Sequence, residues 1–190
     1  MIRHLLLLLL LVPGLGPARA EEPPLLPDVA LTDHHGQPFS PTALHGHWSL
    51  LAIGYTSCPD VCPFVLANLE GVLTELSTRM APKRLPRVVF LAADPARDAP
   101  VLPDYMRSFH PDFLGVTGTE AEIDRLVAGV DGTVRREPAD AFGHYLVAHS
   151  AFVSVIDPEG RVVAKLRPPF EPEPTAATLT GLFRGMPPEG

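Results

Sequence analysis

With 190 residues, 46% of them apolar, the chain is long enough to bury one substantial core, and its length fits a single domain. Acidic residues outnumber basic ones 22 to 15, for a net charge of −7. That balance argues against non-specific binding to nucleic acid or anionic lipid, both of which require a basic patch.

The first 20 residues read as a secretory signal peptide. Arg3 and His4 precede the apolar run Leu5 to Val12, Pro13-Gly14 interrupts it, and Ala18-Arg19-Ala20 supplies a small-residue cleavage pattern. The run is too short for a membrane span, which needs roughly 20 apolar residues, so membrane association is expected only if this segment stays uncleaved. No cysteine stands at the cleavage site to carry a lipid. Residues 21–27 are Pro-rich and expected to be extended, residues 28–185 form the domain, and 186–190 are a tail.

Within the domain, Val29 to Leu31 and Pro38 to Ser40 read as a small hairpin around the polar turn Asp33-His34-His35-Gly36. Trp48 to Tyr55 is nearly all apolar, as expected of a strand buried on both faces. Asp60 is placed to cap a helix running to about Arg79, with Val65, Leu66, Leu69, Val72, Leu73 and Leu76 at helical spacing. Arg87 to Ala93 repeats the buried-strand pattern, Val101 to Phe109 reads as a helix, and Leu114 to Thr117 as a short strand. Thr119 and Glu122 form a capping box for a helix to about Val130. Thr133 to Arg136 reads as a strand fragment. Ala151 to Ile156 and Arg161 to Leu166 form a hairpin about Asp157-Pro158-Glu159-Gly160, Pro168 to Pro174 a linker, and Thr175 to Arg184 a last helix. Strands alternating with helices imply a mainly parallel central sheet covered on both sides, made mixed by the terminal hairpin. This is the pattern of a thioredoxin-like α/β fold with an N-terminal β-hairpin extension.

The two cysteines, Cys58 and Cys62, lie in Tyr55-Thr56-Ser57-Cys58-Pro59-Asp60-Val61-Cys62-Pro63, between a buried strand and a helix. Ligands of open α/β sheets bind beyond the carboxyl ends of the strands. A helix N-terminus stabilises anions, so thiols there are expected to have lowered pKa values. Two cysteines four apart on a helix start can present both sulfurs to one side, and paired thiolates select soft ions, Cu(I) above all. Three readings follow from spacing alone: a metal site, a redox pair, and a structural disulfide. The loop that such a disulfide closes is too short to stabilise much. Thioredoxin-type redox motifs have two residues between the cysteines; here there are three.

The segments TSCPDVCP, ADPARDAP and YLVAHSAFVSVIDPEG together resemble the Sco/SenC family, over roughly residues 28–185. LTD-x-x-G near the start and Gly115 to Thr119 are also similar to that family. The resemblance implies a thioredoxin-like copper protein with metal ligands at Cys58, Cys62 and His149, taking copper as Cu(I) or Cu(II). It implies an exported, periplasmic metallochaperone that delivers copper to the cytochrome c oxidase subunit carrying the Cu(A) site, with a copper-donor chaperone or a thiol reductant as further partners. The rival reading is an enzyme: a thiol–disulfide oxidoreductase, with Cys58 and Cys62 as the redox-active pair, keeping the cysteines of such a subunit reduced. That activity has no need of His149. Family members often carry Asp immediately before the histidine; Ala148 stands there in this chain, and His144 replaces an earlier Asp. The change at Ala148 removes a carboxylate that could tune the metal.

His34, His35, His45 and His47 read as solvated loop histidines, because no cysteine or carboxylate set with ligand spacing accompanies them. His144, five residues before His149 on an expected mobile loop, reads as exposed, with a transient or fourth copper ligand as the alternative. Asp94, Arg97 and Asp98 are expected either to orient the cysteine loop or a partner, or to form a surface ion pair. Met80, Met106 and Met186 are scattered and read as packing residues or surface thioethers.

Overall fold

The computed structural model describes residues 22–59 and 61–185. The signal segment, the Asp60 cap, Met186 and the tail all lie outside the described residues.

The chain runs through a short hairpin, β1 (Leu31–Asp33) and β2 (Pro38–Phe39), then β3 (Ser49–Gly54), α1 (Val61–Ser77), β4 (Arg87–Ala92), α2 (Pro95–Asp98) and α3 (Leu102–Arg107). It continues through β5 (Leu114–Thr117), α4 (Glu120–Gly129), β6 (Val134–Arg136), β7 (Val147–His149), β8 (Val153–Ile156), β9 (Val162–Leu166) and α5 (Pro172–Arg184). Seven strands form one sheet in the order β2-β1-β5-β4-β3-β8-β9. β3, β4 and β5 are parallel neighbours, while β1 and β8 pair antiparallel on either side of that centre. The sheet is therefore mixed, and the N-terminal hairpin extends its edge through β1–β5 pairing. β6 and β7 form a separate two-stranded antiparallel sheet.

The continuous apolar runs of β3 and β4 have a simple cause. Leu50, Ala52, Val88, Phe90 and Ala92 face one core, shared with α1, α3 and α5. Leu51, Ile53, Val89 and Leu91 face a second core, built with α4 and the N-terminal hairpin. Because successive strand residues point to opposite faces, a sheet covered on both sides favours apolar residues at nearly every position; Ser49 and Ser154 are small polar residues that it buries. α1 follows the same logic at period 3.6: the six apolar residues picked out by their spacing, with Cys62, are its buried stripe.

Several boundaries differ from the sequence reading. α5 begins at Pro172 rather than Thr175, because Pro172 and Pro174 occupy a first turn whose N–H groups have no helical partner to lose. Thr119 does cap α4, accepting from the Glu122 N–H at 3.3 Å. The Glu122 carboxylate, however, accepts from the Ala30 N–H at 3.0 Å and from Arg125, tying α4 to the N-terminal segment. The strand expected from Ala151 starts at Val153, and Val147–His149 is a strand in its own right. The segment from Pro168 to Pro174 is only partly a linker.

Candidate metal centre

The site lies where β3 and β4 end. β3 stops at Gly54, and the chain turns through Tyr55 to Cys58, whose N–H donates to the Tyr55 carbonyl at 3.2 Å. Cys62 is the second residue of α1 and is 3% exposed; Cys58 is half-buried. His149 ends β7, 87 residues further along, and its Nε2 lies 3.4 Å from the Cys62 sulfur. The three donor atoms of Cys58, Cys62 and His149 all fall within 4.8 Å of one another, and this is the one such cluster of potential ligands among the described residues. No disulfide joins the two sulfurs.

His149 is held in a single useful orientation. Its Nδ1 lies 3.1 Å from the Ser150 carbonyl oxygen, a partner that only an N–H can serve. Nδ1 therefore carries the proton and Nε2 its lone pair, facing the sulfurs. Burial lowers the His149 pKa, only partly opposed by the Ser150 carbonyl, which keeps the ring neutral and able to ligate. The Tyr55 ring packs edge-on against the imidazole at 5.9 Å.

The sequence expectation that helix position lowers the thiol pKa fails at Cys62. Burial pushes this thiol up, opposed by the hydrogen bond to Tyr55 and reinforced by Cys58. One residue inside the helix and sealed by the core, Cys62 loses more solvation than the helix terminus returns. Cys58, the more accessible sulfur, is the one an incoming thiol or metal donor can meet.

Beneath the loop, the segment Asp94–Asp98 plays a part that its sequence left open. Asp98 is fully buried. Its carboxylate accepts from the Thr56 N–H at 2.8 Å, the Thr56 hydroxyl at 2.7 Å and the Asp94 N–H at 2.9 Å. It thus fixes the cysteine loop to the end of β4. Asp94, also buried, accepts from Arg97 and from the Tyr145 hydroxyl. The reading as a surface ion pair is ruled out by this burial.

The other histidines among the described residues stay outside the cluster. His34 accepts from the Gly115 N–H at 3.1 Å, locking the end of β1 against β5. His144 is exposed and sits 3.7 Å from Asp140 in a turn where the Asp140 carboxylate accepts the N–H groups of Phe142 and His144. Ala148, between two inward-facing residues of β7, is exposed and projects away from the sulfurs. Ala148→Asp is accordingly expected to change metal affinity by less than threefold, which a chelator competition titration on both chains will measure.

The fold and this cluster define a class: thioredoxin-like domains that set two thiols and one imidazole at the carboxyl end of the sheet. Comparison with known proteins narrows it. A sequence model of the SCO1/SenC family matches residues 18–184, and the chain belongs to that family. It is 31% identical over 163 residues to a protein of Stutzerimonas stutzeri named for copper binding, covering 85% of this chain and 75% of that one. It is 39% identical to mitochondrial SCO2 of Saccharomyces cerevisiae over 72% of this chain, but spans only 45% of that longer relative. Among solved structures, copper-bound yeast Sco1 superposes with a TM-score of 0.80 at 32% identity, covering 87% of this chain and 92% of that one. Copper-bound ScoI of Bradyrhizobium japonicum gives a TM-score of 0.73 at 30% identity, covering 83% and 98%.

Proposed function

We propose that this chain is an exported copper carrier that holds one copper ion between Cys58, Cys62 and His149 and passes it to the Cu(A)-bearing subunit of cytochrome c oxidase. The observation that carries the reading is the convergence of these three donors within 4.8 Å. A planar three-coordinate site with bonds of about 2.3 Å, the length typical of metal–thiolate bonds, sets its donors about 4 Å apart. The cluster needs little adjustment to reach that spacing. Two sulfurs and a neutral imidazole form a soft donor set suited to Cu(I), and no carboxylate joins them among the described residues, which disfavours magnesium or calcium.

The geometry also suits release. Copper is cargo here, so its ligands must exchange with those of a recipient. Cys58 and His149 are half-buried, so an incoming ligand can reach them, while Cys62 is buried and holds the ion from the core side. Loading requires both thiols reduced and deprotonated, so copper binding releases protons and stops when the pair is oxidised. Export is supported by the pattern of residues 1–20, and delivery to the oxidase by membership of the family.

The test is anaerobic titration of the reduced chain with Cu(I) against a chromophoric chelator. One equivalent is expected to bind tightly, and His149→Ala is expected to weaken it by tenfold or more and to abolish oxidase assembly in cells. Full cellular function in the His149→Ala strain would instead favour the thiol–disulfide reading, which the accessible Cys58 sulfur supports and which needs no imidazole.

A further inference from the structure

His149 reaches the cysteines from a strand that is not part of the main sheet. Among the described residues, β6 and β7 pair only with each other, so no backbone ladder fixes where β7 stands relative to Cys58 and Cys62. Val147 anchors the strand in the core, and its backbone hydrogen-bonds the Tyr55 side chain just past the end of β3. The other directional contacts come from side chains. The Tyr145 hydroxyl donates to Asp94 at 2.8 Å. Arg97 donates through Nε to the same carboxylate and through Nη1 to the Tyr145 carbonyl at 3.0 Å. The Arg97 guanidinium carbon also lies 3.7 Å from the centre of the Tyr145 ring. From β6, Arg136 donates to the Ala93 carbonyl at 3.0 Å.

We propose that Asp94, Arg97 and Tyr145 form a latch that positions His149 opposite the cysteine pair. Both halves of the metal site are then referred to one short segment. Asp98 grips Thr56, two residues before Cys58, while Asp94 and Arg97 grip Tyr145, four residues before His149. The segment itself is stiff. Pro95 opens its single helical turn, and the Asp98 N–H donates to the Asp94 carbonyl at 2.8 Å. Asp94 and Asp98 are 1% and 0% exposed, so their hydrogen bonds are shielded from competing water. The latch residues touch neither sulfur nor imidazole in any contact described, so they act through His149 as positioning residues.

The proposal rests on the copper reading only for its metal readout; the other readout needs no metal. Tyr145→Phe keeps the ring under Arg97 and removes the hydroxyl. In the reduced, copper-free chain, hydrogen exchange at the β6–β7 amides is expected to quicken about tenfold, as for loss of one hydrogen bond to a charged group, with β3 and β4 unchanged. In Cu(I) competition, Tyr145→Phe is expected to weaken binding about tenfold in the chain that has His149 and to leave it unchanged in the His149→Ala chain. Equal weakening in both backgrounds, or none in either, overturns the latch, as does unaltered exchange at β6–β7. If the parent chain binds no copper, the proposed function fails and the exchange measurement alone decides the latch.

Discussion

Asp98→Ala is expected to lower the free energy of unfolding by about 3–5 kcal/mol, measured by urea denaturation of the reduced chain. The argument is one of unsatisfied donors. The carboxylate accepts from three groups, the Thr56 N–H, the Thr56 hydroxyl and the Asp94 N–H, and an alanine serves none of them. Hydrogen bonds to a charged group contribute about 1.5–3 kcal/mol each. The Asp94 N–H is buried, while Thr56 is half-exposed and recovers part of its loss from water. The same change releases the cysteine loop, so Cu(I) affinity is expected to fall along with stability. Asp98→Asn separates charge from shape. Burial raises the Asp98 pKa, against the hydrogen bonds from Thr56 and Asp94 that lower it. The folded chain therefore holds this proton to higher pH than the unfolded chain. Stability from this group is fully present below the ordinary carboxylate value and is lost as pH rises through the raised one. Asp98→Asn is expected to show a flatter profile across that window. An Asp98→Ala chain as stable as the parent would mean that the loop is held by something other than this carboxylate.

How far the sequence disclosed this molecule depends on the range of each interaction. β3, β4 and α1 were legible because their burial writes a local period into the chain: continuous apolar runs for strands covered on both faces, and a 3.6-residue stripe for the helix. β7 was not, because three residues carry no period and their partner strand lies across an intervening loop. α2 was missed for a like reason, a four-residue turn being too short to show one. The cysteine pair announced itself by type and spacing, but His149, 87 residues from Cys62, came only through resemblance to a family. The supports of the site were the least visible. Asp98 meets Thr56 across 42 residues and Asp94 meets Tyr145 across 51, and no local pattern distinguishes such a carboxylate from one on the surface. The raised Cys62 thiol had the same origin. Helix position can be read from sequence, while the depth at which the core seals that helix start cannot.

Gly54→Ala is expected to cost about 1–3 kcal/mol of stability, the usual range for overpacking a filled core, and to weaken copper binding at the same time. Gly54 ends β3 directly below the site. A Cβ there would stand 2.5 Å from a ring carbon of Phe90 and 2.7 Å from the Cys62 sulfur. Neither neighbour has room to retreat. Phe90 is backed by the Tyr105 ring at 5.6 Å, and the Cys62 sulfur is buried with His149 Nε2 at 3.4 Å on another side. The added methyl therefore displaces either the sheet or the sulfur. Moving the sulfur disturbs a donor that has to match two others within a few tenths of an ångström. Gly181→Ala is the control: it lies in α5 with nothing within 4 Å of the added carbon, and a helical glycine replaced by alanine gains about 0.5–1 kcal/mol. The pair should move in opposite directions in urea denaturation, and only Gly54→Ala should lose affinity in the chelator competition. A Gly54→Ala chain with parental stability and parental affinity would show that the floor of the site is softer than its packing implies, and that Cys62 is free to find its ligand position after folding.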